Sequence, residues 1–331
     1  MSAPFLDVLG IGNAMVDVLA RTDDAFLKSQ GLTKGTTALI DAARAESLYG
    51  QMASGIEMSG GSVANSIAGV ASLGGSGAYI GKVRNDPLGG VFAHDLRAIG
   101  VRFETPASTS GPATARCLIL VTPDAQRTMN TYLGACVELG PEDIDEAVVA
   151  SAQVTYLEGY LFDPPRAKEA FRRAAEIAHG AKRKVSLSLS DPFCVERYRA
   201  EFRDLVHHHI DILFANENEI CSLYETKDFD QALKAVRGEC DIAVLTRSAA
   251  GSVIVTATET VAVPAAPVAE VVDTTGAGDL YASGFLYGVT HGRELAVCGK
   301  LGSLCAAEII SHFGARPEHS LKELAAKAGL V

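Results

Sequence analysis

Short apolar runs rich in β-branched residues alternate along most of the chain with longer, alanine-rich stretches of helical period. The runs predicted to be strands are residues 7–12, 78–83, 154–160, 184–190, 210–216 and 242–248. Between two of these runs, residues 166–180 place Ala167, Phe171 and Ala174 on one apolar helical face. Because parallel strands need a long crossover connection, usually a helix, the alternation predicts an α/β fold with a mostly parallel sheet.

Two stretches depart from this alternation. One combines residues 16–23 with residues 36–41, and the other is residues 115–134, which predict a hairpin that turns at Pro123 and Asp124. Strands that leave a parallel sheet in pairs often form a separate small sheet, so we expect a flap over the active edge of the main sheet. No linker-like stretch interrupts the chain, so the interpretation is one domain over residues 1–331. The lid is predicted to be inserted in it and to be formed by approximately residues 16–58 and 103–135.

Charge and cysteine content limit the expected partners and compartment. The 331 residues carry a formal net charge of −11 and seven cysteines, none in a Cys-x-x-Cys spacing. An acidic chain suits neither nucleic acid nor an anionic membrane, and scattered thiols fit a reducing compartment better than a disulfide framework. The N-terminal sequence lacks a basic n-region, and no uncharged run reaches membrane-spanning length. We therefore expect a soluble, cytoplasmic protein that is a monomer or homodimer.

The most informative motif is VVDTTGAGDLYASGF at residues 271–285. Its glycines Gly276 and Gly278 allow positive φ and close approach of another group. Asp279 stands where the next helix is predicted to begin. Since backbone N–H groups at a helix N-terminus bind anions, the motif predicts a phosphate cradle with a carboxylate beside it. Local dipoles, a few basic side chains or a metal must then overcome the acidic net charge.

Three further groups of polar residues are candidates for binding. They are Asn13 with Asp17, the triplet Gly60, Gly61 and Ser62 with Asn65, and Asn216 with Glu219. The first group follows the first predicted strand, and ligands of open α/β sheets bind at the carboxyl ends of the strands. Each group also has a purely structural explanation, namely a turn cap, a tight turn and a helix-capping pair.

Taken in this order, GxGN…D, GGS…N, NxxE and DTTGAGD resemble the PfkB, or ribokinase-like, family of carbohydrate and nucleoside kinases. The resemblance covers nearly the whole chain. Within the family, GNAMVDVLA, MSGGSVANSI, LSLSDPF and IDILFANENE are most similar to the adenosine kinase branch. The resemblance implies a doubly wound sheet between helices, a small β-sheet lid, and transfer of the ATP γ-phosphate to a sugar hydroxymethyl group. For the branch, that group is the 5′-hydroxyl of adenosine, a purine-salvage reaction.

The resemblance also implies roles for individual residues. Asp279 would accept the hydroxyl proton, Gly276, Ala277 and Gly278 would form the anion hole, and Arg127 would close over the phosphates. The predicted acceptor-binding residues are Asn13, Asp17, Gly60, Gly61, Ser62, Asn65 and Leu161. The predicted ATP-binding residues are Asn216, Thr246, Arg247, Gly251, Thr275, Gly278, Ala306 and Ala307. Asn216 and Glu219 would hold Mg²⁺ through water, and Asp273 with Thr275 would hold a monovalent cation such as K⁺. The helix dipole is expected to keep Asp279 ionised and only weakly basic.

Two alternatives stay open at this point. Animal-type adenosine kinases carry an aromatic ring over the base of the nucleoside. The corresponding position in this sequence is Leu161 or Tyr160, so the residue that would stack on the base is open. A kinase of the same family that acts on a free sugar, such as ribose, fructose or a keto-deoxy sugar acid, is therefore the first alternative. The second is an NAD(P)-binding oxidoreductase, which shares the alternating layout. Its G-x-G-x-x-G pattern begins at Gly10 and at Gly276 and lacks the third glycine in both places.

Overall fold

The structure is a computed structural model that describes residues 6–124 and 126–331. The strands of this part are β1 Leu6–Ile11, β2 Met15–Arg21, β3 Thr37–Leu39, β4 Ile56–Gly60, β5 Gly77–Ile80, β6 Arg102–Phe103, β7 Ala115–Val121, β8 Arg127–Tyr132, β9 Ala152–Glu158, β10 Lys184–Ser188, β11 Ile212–Asn216, β12 Ile242–Thr246, β13 Ser252–Val255 and β14 Thr260–Val263. Its α-helices are α1 Asp24–Ser29, α2 Ala42–Tyr49, α3 Ser62–Ser72, α4 Pro87–Ala98, α5 Glu146–Ser151, α6 Pro165–Gly180, α7 Pro192–His209, α8 Glu217–Leu223, α9 Phe229–Val236, α10 Ala277–Thr290, α11 Leu295–Ile309 and α12 Leu321–Lys327. Four 3₁₀ helices are Gly134–Glu138, Pro141–Asp143, Gly159–Phe162 and Ser248–Ala250. Residues 1–5 of the predicted domain and Ala125 of the predicted lid lie outside the described residues.

The main sheet contains all six strands that the sequence pattern predicted. Its order is β14-β13-β12-β11-β10-β9-β1-β5-β6, and neighbouring strands are parallel from β12 to β6. The first strand, β1, is third from the β6 edge; the later strands of the main sheet extend from it to β6, and then from β9 to β14 at the opposite edge. The predicted α/β fold with a doubly wound, mostly parallel sheet is therefore confirmed.

Helices cover both faces of the main sheet. Val8 and Leu9 are adjacent on β1, so their side chains point to opposite faces. Leu9 belongs to a buried cluster with Phe171 of α6, whereas Val8 belongs to a second cluster with Phe285 of α10. Both β1 residues have no exposed surface. This burial on two faces explains why most of the predicted strands are nearly continuous apolar runs; residues 184–190, which alternate polar and apolar side chains, are the exception.

Two strands at one edge of the main sheet were not predicted. The strands β13 and β14 each contain four residues and pair antiparallel with β12 and with each other. Since four-residue runs carry little periodicity, only their tertiary pairing identifies them as strands.

A second sheet of five strands has the order β3-β8-β7-β2-β4. The predicted hairpin is confirmed, because β7 and β8 pair antiparallel from Arg116 opposite Tyr132 to Val121 opposite Arg127. The Thr122 N–H closes the turn by donating to the Gln126 carbonyl at 3.0 Å. The separate small sheet is thus present, while its division from the rest of the chain at residues 16–58 and 103–135 remains a prediction.

One sharp turn leads from the main sheet into the small sheet, and another leads from the small sheet into α3. Residues 12–14 join β1 to β2, so the chain passes directly from the main sheet into the small sheet. Gly61, between β4 and α3, has a φ of +97° and lies so close to the Asn13 carbonyl that a Cβ atom would overlap it. Both requirements favour glycine at this position.

Among the helices of residues 6–124 and 126–331, none is long and apolar enough to cross a membrane.

Candidate active site

A cavity of about 810 Å³ lies at the carboxyl ends of the main-sheet strands, next to the small sheet. Strands β7 and β8 of the small sheet contribute Ile119, Met129 and Thr131 to its wall. The predicted site residues that line it are Asn13, Asp17, Gly61, Ser62, Asn65, Asn216, Glu219, Thr246, Thr275, Gly276, Gly278 and Asp279. The fold therefore brings together residues that are more than 260 positions apart in the chain. This is the edge of an open α/β sheet at which ligands bind.

The DTTGAGD segment forms the N-terminus of α10. Gly276 caps this helix with a φ of +77°, in the left-handed region. The Ala277 N–H donates to the Thr274 carbonyl at 3.2 Å, whereas those of Gly276 and Gly278 make no hydrogen bond within the described part of the chain. Two of the three predicted anion-hole donors are thus free, at a helix end that carries partial positive charge.

Asp279, in the first turn of α10, is hydrogen-bonded to α3. Ser62 Oγ donates to Asp279 Oδ1 at 2.7 Å, and Asn65 Nδ2 donates to Asp279 Oδ2 at 3.0 Å. The structure therefore gives Ser62 and Asn65, which were predicted to bind the acceptor, an additional contact. They fix the carboxylate at the edge of the cavity.

The pKa of Asp279 shifts upward, opposite to the shift expected from the helix dipole alone. Burial raises the pKa of this carboxyl above its ordinary value, and this effect outweighs the hydrogen bonds from Asn65 and Ser62 and the nearby Arg316 charge. A buried carboxylate loses hydration that a helix dipole replaces only in part. The higher pKa makes Asp279 a stronger proton acceptor than the helix dipole alone would give.

Asp17, on β2, is a second partly buried carboxyl in the cavity wall. The pKa of Asp17 is raised to about 7, mainly by burial; Arg316 and Arg127 oppose this shift, and the nearby Asp279 charge adds a smaller rise. Gly60 does not line the cavity, but a Cβ atom there would overlap the Asp17 carboxylate. Gly60 therefore supports the site by leaving room for this side chain.

Glu158 is a site residue that the sequence interpretation missed. It ends β9, is almost completely buried at 1% exposure, and lines the cavity. Its Oε1 accepts from Asn13 Nδ2 at 2.7 Å, and its Oε2 accepts from the N–H groups of Asn13 at 3.3 Å and Val63 at 3.2 Å. Burial raises the pKa of Glu158 to about 7.

Arg316 is a second missed residue. It lies in the segment between α11 and α12, and its guanidinium donates to the carbonyls of Ser59 and Ala64 and to Ser59 Oγ. It therefore ties the end of β4 to the first turn of α3, which holds Asp279. Burial lowers the pKa of Arg316 to about 10, and the nearby carboxylates of Asp17 and Asp279 oppose that shift.

Arg127, at the start of β8, contacts the DTTGAGD segment rather than the cavity. Its Nη1 donates to Thr275 Oγ1 at 2.9 Å, and its Nη2 forms an ion pair with Asp273 Oδ2. Asp273 also accepts from the N–H groups of Thr275 and Gly314. These donors engage both oxygens of Asp273 and leave part of its acceptor capacity free. The monovalent cation at Asp273 and Thr275 stays a prediction.

Asn216 and Glu219 form a reciprocal cap at the start of α8. Asn216 Oδ1 accepts from the Glu219 N–H at 2.9 Å, and Glu219 Oε2 accepts from the Asn216 N–H at 2.9 Å. Glu219 nevertheless lines the cavity while 6% exposed, and burial raises its pKa to about 7. A nearby divalent cation would favour its ionised form. The described residues contain no group of three or more His, Cys, Asp or Glu side chains that could hold a metal. Contact with Mg²⁺ through water stays the prediction for Asn216 and Glu219.

The structure does not bring the other predicted binding residues to the cavity wall. Leu161 is a correction: it is 1% exposed in the core, and Tyr160 lines the cavity instead. Arg247 forms an ion pair with Glu217 and lies over the Phe229 ring. The remaining predicted residues outside the wall are Gly251, Asp273, Ala277, Ala306 and Ala307.

Comparisons with known proteins agree on the class of this site. The pfkB family carbohydrate kinase model matches residues 37–321. Adenosine kinase 2 of Arabidopsis thaliana is 25% identical over 333 residues, which cover 93% of this chain and 94% of that protein. Two solved structures are each 55% identical, covering 98% of this chain and 99% of theirs. They are a probable sugar kinase protein from Rhizobium etli CFN 42, with a TM-score of 0.93, and the adenosine kinase from Sinorhizobium meliloti, with a TM-score of 0.92.

Proposed function

Because the chain belongs to the pfkB family of carbohydrate kinases, and is therefore a phosphotransferase with an alcohol acceptor, we propose that it converts adenosine and ATP into AMP and ADP. The names of the Arabidopsis thaliana and Sinorhizobium meliloti relatives support adenosine as the acceptor. Family membership sets aside the oxidoreductase alternative.

The observation that carries this proposal is the pairing of two carboxyls in one cavity. Asp279 is partly buried beside the free N–H groups of Gly276 and Gly278, where a phosphate can bind. Asp17 lies close enough for the Asp279 charge to raise its pKa, and it accepts no hydrogen bond within the described residues. An ionised carboxylate can accept two hydroxyl donors, which the cis 2′ and 3′ hydroxyls of a ribofuranosyl group supply. The 5′-hydroxyl then points toward Asp279.

The proposed reaction needs positioning and charge stabilisation more than covalent chemistry. Asp279 accepts the proton of the 5′-hydroxyl as that oxygen bonds to the γ-phosphorus and the bond to the ADP oxygen breaks. Ser62 and Asn65 hold the carboxylate in place through this transfer. The N–H groups of Gly276 and Gly278 stabilise the charge on the phosphoryl oxygens. Arg127 positions the segment before these glycines through Thr275 and Asp273.

The family implies ATP and, typically, Mg²⁺. When bound with ATP, Mg²⁺ neutralises charge on the phosphate oxygens. Asn216 and Glu219 are the residues proposed to hold it, through water. Thr246 and Thr275 line the cavity and remain candidates for contacts to ATP.

A free-sugar kinase is the second candidate, because one of the 55% identical structures is described as a probable sugar kinase. We test the two by measuring kcat/KM for adenosine, 2′-deoxyadenosine, ribose and fructose with Mg²⁺ and ATP in a coupled ADP-release assay. Adenosine should be the best acceptor. Its 2′-deoxy analogue should be much poorer, because a site built to bind a hydroxyl rejects the analogue lacking it.

Asp17→Ala provides the matched test of the contact. This substitution should greatly lower kcat/KM for adenosine and remove most of the difference in kcat/KM between adenosine and 2′-deoxyadenosine. If ribose or fructose is used better than adenosine by the unmodified enzyme, the nucleoside proposal is wrong and the sugar-kinase function replaces it.

A further inference from the structure

Two asparagines of the cavity share one arrangement. Asn13 Nδ2 donates to Glu158 Oε1 at 2.7 Å, and Asn65 Nδ2 donates to Asp279 Oδ2 at 3.0 Å. In each case the amide nitrogen is committed to a protein carboxylate. Above their pKa values the Glu158 and Asp279 carboxylates have no hydrogen to donate, so each can then face the nitrogen of an amide but not its oxygen.

The amide oxygens are consequently left for a ligand. Asn65 Oδ1 is buried and has no hydrogen-bond partner among the described residues. Asn13 Oδ1 makes no hydrogen bond within them either, and both residues line the cavity. A buried polar atom without a partner is costly, which indicates that a bound ligand completes it. Together with Asp17, these groups present only hydrogen-bond acceptors.

We propose that Glu158 is a positioning residue for acceptor recognition, which holds the Asn13 amide with Nδ2 inward and Oδ1 toward the cavity. The site then selects acceptor molecules that offer several hydroxyl donors. Because Glu158 Oε2 also accepts from the N–H groups of Asn13 and Val63, its carboxylate cannot turn away from this position without losing both. Glu158 thereby acts on the substrate through Asn13.

The inference rests on the proposed nucleoside acceptor, and Glu158→Gln tests it with little change of shape. The oxygen of the introduced amide can still accept from the two backbone N–H groups, which leaves the NH₂ group of that amide facing Asn13. Two facing donors repel, so the Asn13 amide should turn and present its NH₂ to the cavity. A fluorine substituent can accept a hydrogen bond but cannot donate one. The kcat/KM for an analogue with fluorine in place of the hydroxyl should therefore rise relative to the kcat/KM for adenosine.

The measurement is the ratio of kcat/KM for 2′-deoxy-2′-fluoroadenosine, and separately for 3′-deoxy-3′-fluoroadenosine, to kcat/KM for adenosine. For one of the two analogues, Glu158→Gln should raise this ratio about 3- to 10-fold, the effect of one ordinary hydrogen bond. The change should appear in the KM for the acceptor, while kcat and the KM for ATP stay near those of the unmodified enzyme. Glu308→Gln is the matched control, because it makes the same substitution at a buried carboxyl that does not line the cavity, and it should leave the ratio unchanged.

The double variant Asn13→Asp/Glu158→Gln exchanges the two chemical groups. The introduced glutamine amide can then donate to one oxygen of the new carboxylate, whose other oxygen faces the cavity as an acceptor. The ratio should return to that of the unmodified enzyme, which also tests the idea if Glu158→Gln alone does not fold. The inference is overturned if both ratios in folded Glu158→Gln stay within about 2-fold of the unmodified enzyme, or if the double variant favours the fluoro analogues. If a free sugar proves to be the acceptor, the ratio is measured with its deoxyfluoro derivatives, so failure of the nucleoside proposal does not decide this one.

Discussion

Replacing Ser62 with alanine tests whether Asp279 is the proton acceptor. Ser62 Oγ donates to Asp279 Oδ1 at 2.7 Å, and this bond is one of the interactions that lower the pKa of Asp279 against the larger, raising effect of burial. The substitution removes the donor and adds no atom. The pKa of Asp279 should therefore rise further, which keeps the carboxyl protonated, and inactive as a base, to a higher pH.

The size of this effect follows from the hydrogen bond. A hydrogen bond to a charged group contributes about 1.5–3 kcal/mol, and each pH unit corresponds to about 1.4 kcal/mol. Because Ser62 is only partly buried, water can replace part of the lost bond. We therefore expect the acidic limb of the kcat profile to move to higher pH by about one unit, with little loss of kcat above it.

The assay is kcat against pH at saturating acceptor, because kcat reports the groups that titrate in the substrate complex. Ser66→Ala is the matched control: Ser66 lies on the same helix and is fully buried, and its Oγ donates to the Ser62 carbonyl at 3.3 Å. Asp279→Asn should lower kcat by about 10²–10⁴-fold and remove the limb. An acidic limb that stays in place in Ser62→Ala, or that persists in Asp279→Asn, would show that another group is the base.

Two further predictions concern the arginine at the small sheet and the carboxyls of the cavity. Arg127→Ala should lower kcat by about 10- to 100-fold with a smaller effect on acceptor KM, because it removes the support of the anion-binding segment; a loss of acceptor affinity alone, with kcat preserved, would contradict this role. The pKa values of Asp17, Glu158 and Glu219 are each raised to about 7 in the folded protein. At pH values between the ordinary carboxyl pKa and 7, the folded protein therefore binds more protons than the unfolded chain. The free energy of unfolding should therefore fall as pH rises through this interval, and less steeply in Glu219→Gln, as measured by urea titration of the ligand-free protein; stability that rises over the same interval would show that these carboxyls are not destabilised by burial.

Features that depend on neighbouring residues could be predicted from the sequence. The six main strands follow from short runs rich in apolar and β-branched residues, and the hairpin of residues 115–134 follows from its Pro123-Asp124 turn. Asp279 could be proposed because it follows Gly276 and Gly278 directly in the chain. In each case the interaction that fixes the structure lies within a few residues.

Features that depend on distant partners could not be predicted. In the sequence, Glu158 is simply part of a predicted buried strand. Its hydrogen-bond partners Asn13 and Val63 lie 145 and 95 positions earlier in the chain. Arg316 lies in a segment without periodicity, and only the fold brings it to Ser59, 257 positions away. The error at Leu161 has a different cause. A 3₁₀ helix over Gly159–Phe162 follows β9, so the alternation of the strand no longer indicates which side chain faces the cavity.

The proposed reaction requires an acidic protein to stabilise the phosphates of ATP in a cavity with few cationic side chains. Among the described residues that line the cavity, Arg197 is the only cationic side chain, and its Nη1 forms an ion pair with Asp163 Oδ2 at 3.0 Å. Arg127 is likewise paired with Asp273 behind the cavity wall. Since these guanidinium groups are already engaged by carboxylates, little side-chain charge is left for the phosphates. Backbone dipoles at the start of α10 and a divalent cation carried by ATP must therefore supply most of the stabilisation that phosphoryl transfer needs.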